Sequence, residues 1–209
     1  MDGKLRGHYG PAFYRYFYER NEAIKAGVLT GVELELETLG IGNGIIDAEI
    51  QFPTYPVFAA NNTYGVQALD EEWIDYMTTA CYMVNGCLDQ LWRCRQEYNM
   101  NSTSPATSTL CSQAATMCRD NRPAALSRFF VKYLNEPATQ EALGIAVDFE
   151  YKESNYDVYL AFQHSGDYAY PRFLQDLEFL LDHGVRVLLA YGDADYIGNW
   201  FGGRLFRWR

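Results

Sequence analysis

The sequence is short of basic residues and of long apolar runs. Lysine and arginine number 17 against 27 aspartates and glutamates, which gives a net charge of −10. Binding to nucleic acid needs a basic surface, so we expect no nucleic-acid partner. No run approaches the roughly 18 apolar residues of a membrane span, so we predict none. The first ten residues, MDGKLRGHYG, have no apolar core, and we predict no signal peptide in this chain.

Groups for nucleophilic catalysis are also scarce. The chain has three histidines, His8, His164 and His183, and no Gly-x-Ser-x-Gly elbow. His164 precedes Ser165, but neighbours in sequence do not make a catalytic pair, whose side chains must face each other. We interpret His183 as a structural residue at a helix end and His8 as a capping or packing residue. No cofactor is predicted.

One stretch combines a strand with acidic residues. Residues 185–191 form a largely apolar run that stops at Gly192, and Asp193 and Asp195 follow. Such runs are typical of buried strands in a parallel sheet, and catalytic groups of these sheets lie just beyond the carboxyl ends of the strands. Either aspartate could therefore be a catalytic acid, and the alternative is that both cap the following turn.

The remaining pattern predicts an α/β chain. Its composition, 48% hydrophobic and 16% aromatic, is that of a globular protein. Strict alternation predicts a half-buried strand over residues 32–37, which continues into the glycine-rich 38–44. Helices are predicted over residues 11–26, 70–99, 110–119, 126–134, 137–143 and 171–181. Turns or irregular segments are predicted over 47–65, 101–109 and 148–156, and residues 159–163 fit a helix or a strand.

Gly40, Gly42 and Gly44 suggest a phosphate-binding loop at first sight. No helix-opening Lys-Ser or Lys-Thr follows them, and their spacing does not fit a dinucleotide-binding fingerprint. We therefore interpret them as residues that let the backbone turn sharply at a strand end.

Four of the five cysteines form two pairs of equal spacing. Cys87 and Cys94 are seven residues apart, and so are Cys111 and Cys118. Two helical turns place each pair on one helix face, and the turn between the helices lets them run antiparallel. The spacing predicts nested disulfides, Cys87–Cys118 and Cys94–Cys111. A metal site of the zinc type is the weaker alternative, because no pair has Cys-x₂₋₄-Cys spacing and no histidine lies nearby, and we predict no bound metal.

The disulfides and two glycosylation sequons point to an oxidising compartment. The sequons begin at Asn61 and Asn101. Two disulfides agree with a secretory location. Cys81 is either a buried thiol outside any disulfide or a residue whose partner is absent from this chain.

Five segments carry a recognisable pattern and cover nearly the whole chain. They are GHYGPAFYRYF at 7–17, TLGIGNGIID at 38–47, MVNGC with the cysteine pairs at 83–118, YLNEPATQEALG at 133–144 and YGDADYIGNWFGG at 191–203. Together and in this order they resemble the serine carboxypeptidases, in particular the fungal secreted or vacuolar enzymes.

The resemblance implies an α/β-hydrolase fold with a helical insertion over the active site. On this basis we expect residues 1–209 to form a single, incomplete α/β-hydrolase domain with the insertion at about 66–125. The implied activity is that of a serine-type carboxypeptidase, which releases C-terminal amino acids from peptide or protein substrates through a Ser-Asp-His triad at acidic pH. The implied location is secreted or vacuolar.

The resemblance also assigns site residues. The triad acid is the second aspartate of Gly-Asp-x-Asp, here Asp195, which would orient and stabilise the triad histidine. Asn199 and Trp200 match the family, whereas Gly198 stands where a cysteine is usual. The expected substrate pocket consists of residues that flank the acid in the sequence: Tyr156, Tyr159, Phe162, Tyr196, Asn199 and Trp200.

The nucleophile does not carry over. Alignment on residues 7–9 puts Lys4 at the position of the nucleophilic serine, and a lysine there does not replace an activated serine. Gly3 stands at the position of a carboxylate-recognising glutamate. Leu5 stands at that of a tyrosine whose amide serves the oxyanion.

Other parts of the family pattern are expected to be missing. The triad histidine lies downstream of Arg209, and a stretch is lost between Asn121 and Arg122. We therefore expect a truncated internal piece of a carboxypeptidase with exposed sheet edges and an exposed apolar face. The alternatives are a catalytically inactive fragment and a secreted, disulfide-stapled binding module with an aromatic surface.

Overall fold

A computed structural model of the chain describes residues 6–119, 129–145, 149–152 and 155–208. Two strands, β1 (Thr38–Gly42) and β2 (Arg186–Ala190), pair in parallel over their full length. The helices are α1 (Arg6–Lys25), α2 (Ala48–Gln51), α3 (Thr54–Ala60), α4 (Glu71–Tyr82), α5 (Cys87–Met100), α6 (Pro105–Arg119), α7 (Phe129–Leu134), α8 (Pro137–Ala142), α9 (Tyr156–Ser165), α10 (Arg172–Asp182) and α11 (Trp200–Gly203). Two 3₁₀ turns lie at Asp167–Ala169 and Arg204–Trp208.

One core lies between the sheet and the helices α1 and α10. The apolar face of α10 was predicted from its helical periodicity, and it packs here against the covered side of β1. The buried members are Leu39, Ile41, Ile46, Ile50, Leu174, Leu177, Leu180 and Val185. The chain then turns from α10 into β2 through Gly184, whose φ of 80° suits glycine.

The second core surrounds the disulfide-linked helices α5 and α6. The structure joins Cys87 to Cys118 and Cys94 to Cys111, which are the pairs that the spacing predicts. All four disulfide cysteines are buried, together with Phe52, Tyr55, Met77, Leu91, Ala114 and Ala115. Cys81 is buried and belongs to neither disulfide.

The predicted strand over residues 32–37 is wrong. The segment has no regular secondary structure and is mostly exposed, with 82% of Val32 accessible, and the strand begins only at Thr38. Asn21 of α1 takes the place of a partner strand for part of it. Its Nδ2 donates to the Leu34 carbonyl at 2.6 Å, and its Oδ1 accepts from the Leu34 amide at 3.0 Å. The alternating pattern therefore marks a segment held by a helix.

Both sides of β2 were predicted to be buried, and this is also wrong. Within the described residues only one face of the two-stranded sheet is covered, so burial alternates along the strand and 62% of Leu188 is exposed. The exposed apolar face that we expected is present at this position.

Helix α1 begins earlier than predicted. Pro11 was expected in the first turn but lies inside the helix, where it leaves the Gly7 carbonyl without its usual donor. The start of the helix is pressed against another segment, because a Cβ on Gly7 would collide with the backbone of Ile45. The helix ends at Lys25, close to the predicted end.

The segment 47–65 is not the predicted loop, since it contains α2 and α3. The Asp47 side chain accepts from the Ile50 amide at 3.1 Å and caps α2. Pro53 precedes α3 and Pro56 lies in its first turn, where a missing N–H has no effect on helical hydrogen bonding. These prolines therefore mark helix starts rather than a loop.

The helix predicted over residues 70–99 is two helices, α4 and α5. The chain breaks between them at residues 83–86, where Asn85 has a φ of 61°. A Cβ on Gly86 would lie 2.6 Å from the Ala80 carbonyl oxygen, so this close turn needs glycine.

The next helix, α6, begins at Pro105 inside the predicted turn, because the Ser104 hydroxyl accepts from the Thr107 amide at 3.0 Å and caps it.

The other helix predictions agree with the structure to within a few residues. Residues 159–163, which fitted a helix or a strand, belong to α9, and the helix predicted at 126–134 is described from Phe129 onward. The described part of the segment 66–125 contains α4, α5 and α6. None of the described helices is long and apolar enough to cross a membrane.

Candidate active site

Asp195 lies in the loop that follows β2, and both of its carboxylate oxygens accept hydrogen bonds. Oδ2 accepts from Asn43 Nδ2 at 2.6 Å, and Oδ1 accepts from the backbone amide of Gly198 at 2.8 Å. The side chain is half-buried. These two contacts fix the plane of the carboxylate at the carboxyl end of the sheet, where acids of parallel sheets act.

Asn43 is the site residue that reasoning from the sequence missed. It follows β1 directly, and its backbone amide donates to the Ala190 carbonyl at 2.8 Å. This bond adds one more backbone hydrogen bond after the last residue pair of β1 and β2. Its Oδ1 accepts from the Gly192 amide at 3.2 Å while its Nδ2 holds Asp195. The available signal was that Asn43 is a polar residue at the end of a strand. Because the carboxyl ends of neighbouring parallel strands lie side by side, such a residue can reach the acid that follows the other strand.

Gly198 packs directly on Asn43. A Cβ at residue 198 would lie 2.6 Å from the Asn43 carbonyl oxygen, closer than side chains approach. The resemblance implies a cysteine at this position, and the structure has no room for one. Because residue 198 is glycine, the loop after Asp195 can come back into close contact with Asn43.

Asp193 has a different environment. Its side chain is exposed, and its Oδ1 accepts from the hydroxyl of Tyr64 at 2.9 Å. The two aspartates of the motif are thus separated by burial and by their partners, and Asp195 is the one held at the strand end.

The other predicted site residues of this loop are partly structural. Tyr196 stacks on Tyr55 with ring centroids 5.8 Å apart and reaches the second core. Asn199 is only 2% exposed and caps α11, accepting from the Gly202 amide at 3.0 Å. The half-buried Trp200 donates its indole N–H to the hydroxyl of Thr63 at 3.0 Å.

The predicted pocket residues Tyr156, Tyr159 and Phe162 lie on α9. The rings of Tyr156 and Tyr159 stack with centroids 6.3 Å apart, and the Phe162 ring meets Tyr9 of α1 edge-on at 6.4 Å. Helix α9 packs on α6 and on the turn at Asp167–Ala169. These contacts belong to α1, α6 and α9, whereas residues 196–200 contact α3 and α4.

Residues 6–207 match the sequence model of the serine carboxypeptidase family. The chain belongs to the serine carboxypeptidase family. Carboxypeptidase S1 homolog B of Arthroderma otae is similar, 37% identical over 229 aligned residues that cover 95% of this chain and 35% of that protein. Carboxypeptidase S1 of Penicillium janthinellum is 34% identical, with 94% and 48% covered. Carboxypeptidase Y of Schizosaccharomyces pombe is 31% identical, with 94% and 21% covered. The chain spans about a third of the length of the first of these curated relatives.

No histidine contacts Asp195 in the described part of this serine carboxypeptidase chain. His164 is exposed at the end of α9, and the neighbouring Ser165 donates its hydroxyl to the Phe162 carbonyl at 2.9 Å. His183 ends α10, with Nδ1 2.7 Å from the Phe179 carbonyl oxygen. The residues predicted to stand in for the family serine and its neighbours, Gly3, Lys4 and Leu5, lie outside the described residues.

His8 is buried on the inner side of α1, so packing is its role and it is not a cap. Its ring stacks on Phe173 with centroids 4.1 Å apart, and Nδ1 lies 3.6 Å from the carboxylate of Asp167, too far for a hydrogen bond. Burial lowers the pKa of the imidazole from 6.5, and the Asp167 carboxylate offsets only part of this. Asp167 also accepts from the hydroxyl of Tyr9 at 3.2 Å and pairs with Arg172 at 3.4 Å.

No cluster of three or more histidine, cysteine or acidic side chains suited to a metal ion occurs among the residues that the structure describes. Two acidic side chains beside the second core, Asp47 and Glu49, form ion pairs with Arg95 instead. Arg95 of α5 donates to Asp47 and to Glu49, each at 2.6 Å, and so ties the disulfide-linked helices to α2.

Proposed function

We propose that this chain is part of a serine-type carboxypeptidase that releases C-terminal amino acids from peptides, with Asp195 as the acid of its triad. The observation that carries this proposal is the placement of Asp195, held by Asn43 and by the Gly198 amide beyond the carboxyl end of β2. The names of the similar fungal carboxypeptidases support the reaction and the peptide substrates.

The proposed role of Asp195 follows from its charge and its fixed plane. A triad aspartate accepts a hydrogen bond from the histidine, holds the ring in the productive tautomer and stabilises the imidazolium that forms. Each carboxylate oxygen of Asp195 accepts one hydrogen bond here. Because a carboxylate oxygen has two lone pairs, each can accept a second hydrogen bond from another donor. A histidine could therefore bind without displacing Asn43 or Gly198.

The wider architecture is proposed on the same basis. β1 and β2 would belong to an α/β-hydrolase sheet within a single, incomplete domain, and the helices of about 66–125 would be its insertion. The pocket formed by Tyr156, Tyr159, Phe162, Tyr196, Asn199 and Trp200 stays a prediction. Trp200 is the best supported member, because its indole lies at the surface beside the loop of Asp195.

A secreted or vacuolar location is proposed from the chemistry of the cysteines. Disulfides persist in secretory compartments and are rare in the cytosol, and this chain has two in its second core. The sequon residues Asn61 and Asn101 are both exposed, as a glycan acceptor must be.

A second candidate is that the 209-residue chain binds peptides without hydrolysing them. The observation in its favour is that none of the three histidines contacts Asp195 in the described structure. Both candidates share a fold and differ only in catalysis, so a single activity experiment distinguishes them.

The test compares wild type with Asp195→Asn and Asp193→Asn in the hydrolysis of a blocked dipeptide at mildly acidic pH. The substitutions are made in the whole carboxypeptidase, which supplies the serine and the histidine, and the 209-residue chain alone is assayed beside it. Asp193 is the matched control, since it follows the same strand but is exposed. We expect Asp195→Asn to lower kcat by about 10⁴-fold, because an asparagine favours the wrong histidine tautomer. We expect Asp193→Asn to stay close to wild type.

Labelling with a fluorophosphonate probe accompanies the assay and reports an activated serine. Equal hydrolysis by wild type and Asp195→Asn would contradict the assigned acid. A folded chain that neither hydrolyses the dipeptide nor takes up the probe would instead support the second candidate.

A further inference from the structure

We propose that Asn43 is a positioning residue for Asp195, fixing the carboxylate plane that the triad histidine would meet. The proposal rests on the proposed function, in which Asp195 is the triad acid. Its basis is that one asparagine contacts the acid loop at three separate residues.

The amide orientation of Asn43 follows from its two partners. The Gly192 backbone N–H is a donor, so the atom that faces it at 3.2 Å must be Oδ1. Nδ2 then faces Asp195, where the oxygen at 2.6 Å can only accept while the carboxylate is ionised. The opposite orientation would put two donors together and two acceptors together, so this contact has one direction.

The backbone of Asn43 is anchored independently of its side chain. Its amide continues the pairing of β1 with β2 by donating to the Ala190 carbonyl, and its φ of 51° is left-handed. Asparagine adopts this region more readily than residues with other side chains, apart from glycine. The side chain therefore projects from a fixed point toward Asp195.

The contacts limit rotation of the acid. Turning the Asp195 carboxylate about its Cβ–Cγ bond would break the bond from Asn43 and the bond from the Gly198 amide together. The packing of Gly198 on the Asn43 carbonyl keeps that amide in place. Catalytic groups held in this way gain rate because less motion must be lost in the transition state.

The test uses the full chain with ¹³C-labelled aspartate carboxyl groups and measures the chemical shift of the Asp195 signal by NMR at one fixed pH. Asp195→Asn identifies that signal by removing it. Asn43→Gly keeps the left-handed backbone and removes both side-chain bonds. Asn85→Gly is the matched control, because Asn85 also has a positive φ, 61°, and its side chain contacts Arg93 in an exposed turn.

We expect the chemical shift of the Asp195 carboxyl signal to change in Asn43→Gly and to match wild type in Asn85→Gly. An unchanged Asp195 signal in folded Asn43→Gly overturns the proposal. Asn43→Asp serves if the glycine variant does not fold, since it keeps the acceptor for Gly192 and replaces only the donor. The Asp195 signal should then move away from its wild-type position, and an unchanged signal in this variant overturns the proposal.

Kinetics of the same substitutions in the whole carboxypeptidase, which supplies the serine and the histidine, separates this proposal from the proposed function. We expect Asn43→Gly to lower kcat by about 10²-fold with little change in KM, since misplacement of a catalytic group has that effect. In the Asp195→Asn background the same change should have no further effect. A loss in Asp195→Asn with none in Asn43→Gly overturns the positioning role alone. No loss in Asp195→Asn overturns the function, and the NMR result then decides whether Asn43 fixes the carboxylate.

Discussion

Two aspartates stand two positions apart in the loop after β2, and their surroundings differ. Asp193 is exposed and bonded to Tyr64, whereas Asp195 is half-buried and held through both oxygens. An acid that must orient a base needs a fixed carboxylate, and a solvated side chain loses that orientation. At the scale of single residues, their neighbours distinguish the two aspartates, and only Asp195 has the fixed carboxylate that the proposed role needs.

His8 gives the first prediction at this scale. Its pKa is lowered below 6.5 by burial, so the unfolded chain binds a proton more readily than the folded one. The contribution of neutral His8 to the free energy of unfolding is therefore fully present above about pH 6.5. It is lost as the pH falls through the lowered pKa of the folded state, and each unit by which the pKa is lowered corresponds to about 1.4 kcal/mol. We expect His8→Phe, which keeps the stacking on Phe173, to lose less thermal stability than wild type between pH 7 and pH 5.

The measurement is the melting temperature across that pH range by circular dichroism. His164→Gln is the control, because His164 is exposed, and it should follow the wild-type curve. If His8→Phe shows the full wild-type pH dependence, another group is responsible for the loss.

The sequence indicated Asp195 directly, whereas for Asn43 it offered only a polar residue at the end of a strand. Asp195 lies directly after a recognisable strand and in a recognisable motif. The partner that orients it lies 152 positions away and becomes visible only when the two parallel strands are paired. His8 was assigned to capping or packing, but its contact with Phe173 depends on how α1 and α10 pack, and sequence periodicity does not give that.

At the scale of elements, the helix pair α5 and α6 is the most strongly determined part of the fold. Equal cysteine spacing on two helices allows only nested pairing when the helices are antiparallel, and the structure has that arrangement. Arg95 then joins the pair to α2 through two carboxylates. Covalent and ionic contacts together hold this unit, and α2 links it to the core on the sheet through Ile50.

Removing one disulfide should destabilise the chain measurably. We expect the double substitution Cys94→Ala and Cys111→Ala to lower the free energy of unfolding by about 3 kcal/mol, since the bond closes a loop of 17 residues in the unfolded chain. Urea denaturation measures this change. Cys81→Ala is the control, because that buried cysteine is in neither disulfide. A non-reducing peptide map that joins Cys87 to Cys94 would show that the nested pairing is wrong.

Element predictions failed where one residue type serves two structures. Pro53 and Pro56 indicated a loop but occupy helix starts, and the alternation over residues 32–37 indicated a strand but marks a segment held by Asn21. Proline is tolerated in a first helical turn, and alternation needs a neighbouring strand to become a sheet. Amphipathic α10 was predicted well because its pattern depends on its own periodicity.

At the scale of the whole molecule, the sequons predict passage through a secretory pathway. Asn61 and Asn101 are exposed, and each lies at the end of a helix. We expect chain secreted from a fungal host to lose mass on treatment with peptide N-glycosidase F. The double variant Asn61→Gln and Asn101→Gln should show no such loss, and Asn62→Gln, which leaves both acceptors in place, serves as the control. Secreted chain with no glycan at either site would contradict the prediction.

The exposed side of the sheet was predictable as a consequence of few strands, but its position was not. Parallel strands are stable when both faces are covered, and the described residues cover one. Leu188 is exposed because β2 alternates, whereas its apolar sequence suggested burial on both sides. The sequence shows which residues are apolar, and only the packing shows which of them face a neighbour.

The separation of paired residues along the chain also sets an order of folding. The disulfides close intervals of 17 and 31 residues, whereas the bond from Asn43 to Asp195 closes one of 152. Contacts between distant residues cost more loop entropy and form more slowly. During synthesis the helical pair can form and oxidise while β2 is still untranslated. The contact between Asn43 and Asp195 therefore forms late, and a nascent chain arrested before β2 would contain an oxidised helical pair without this contact.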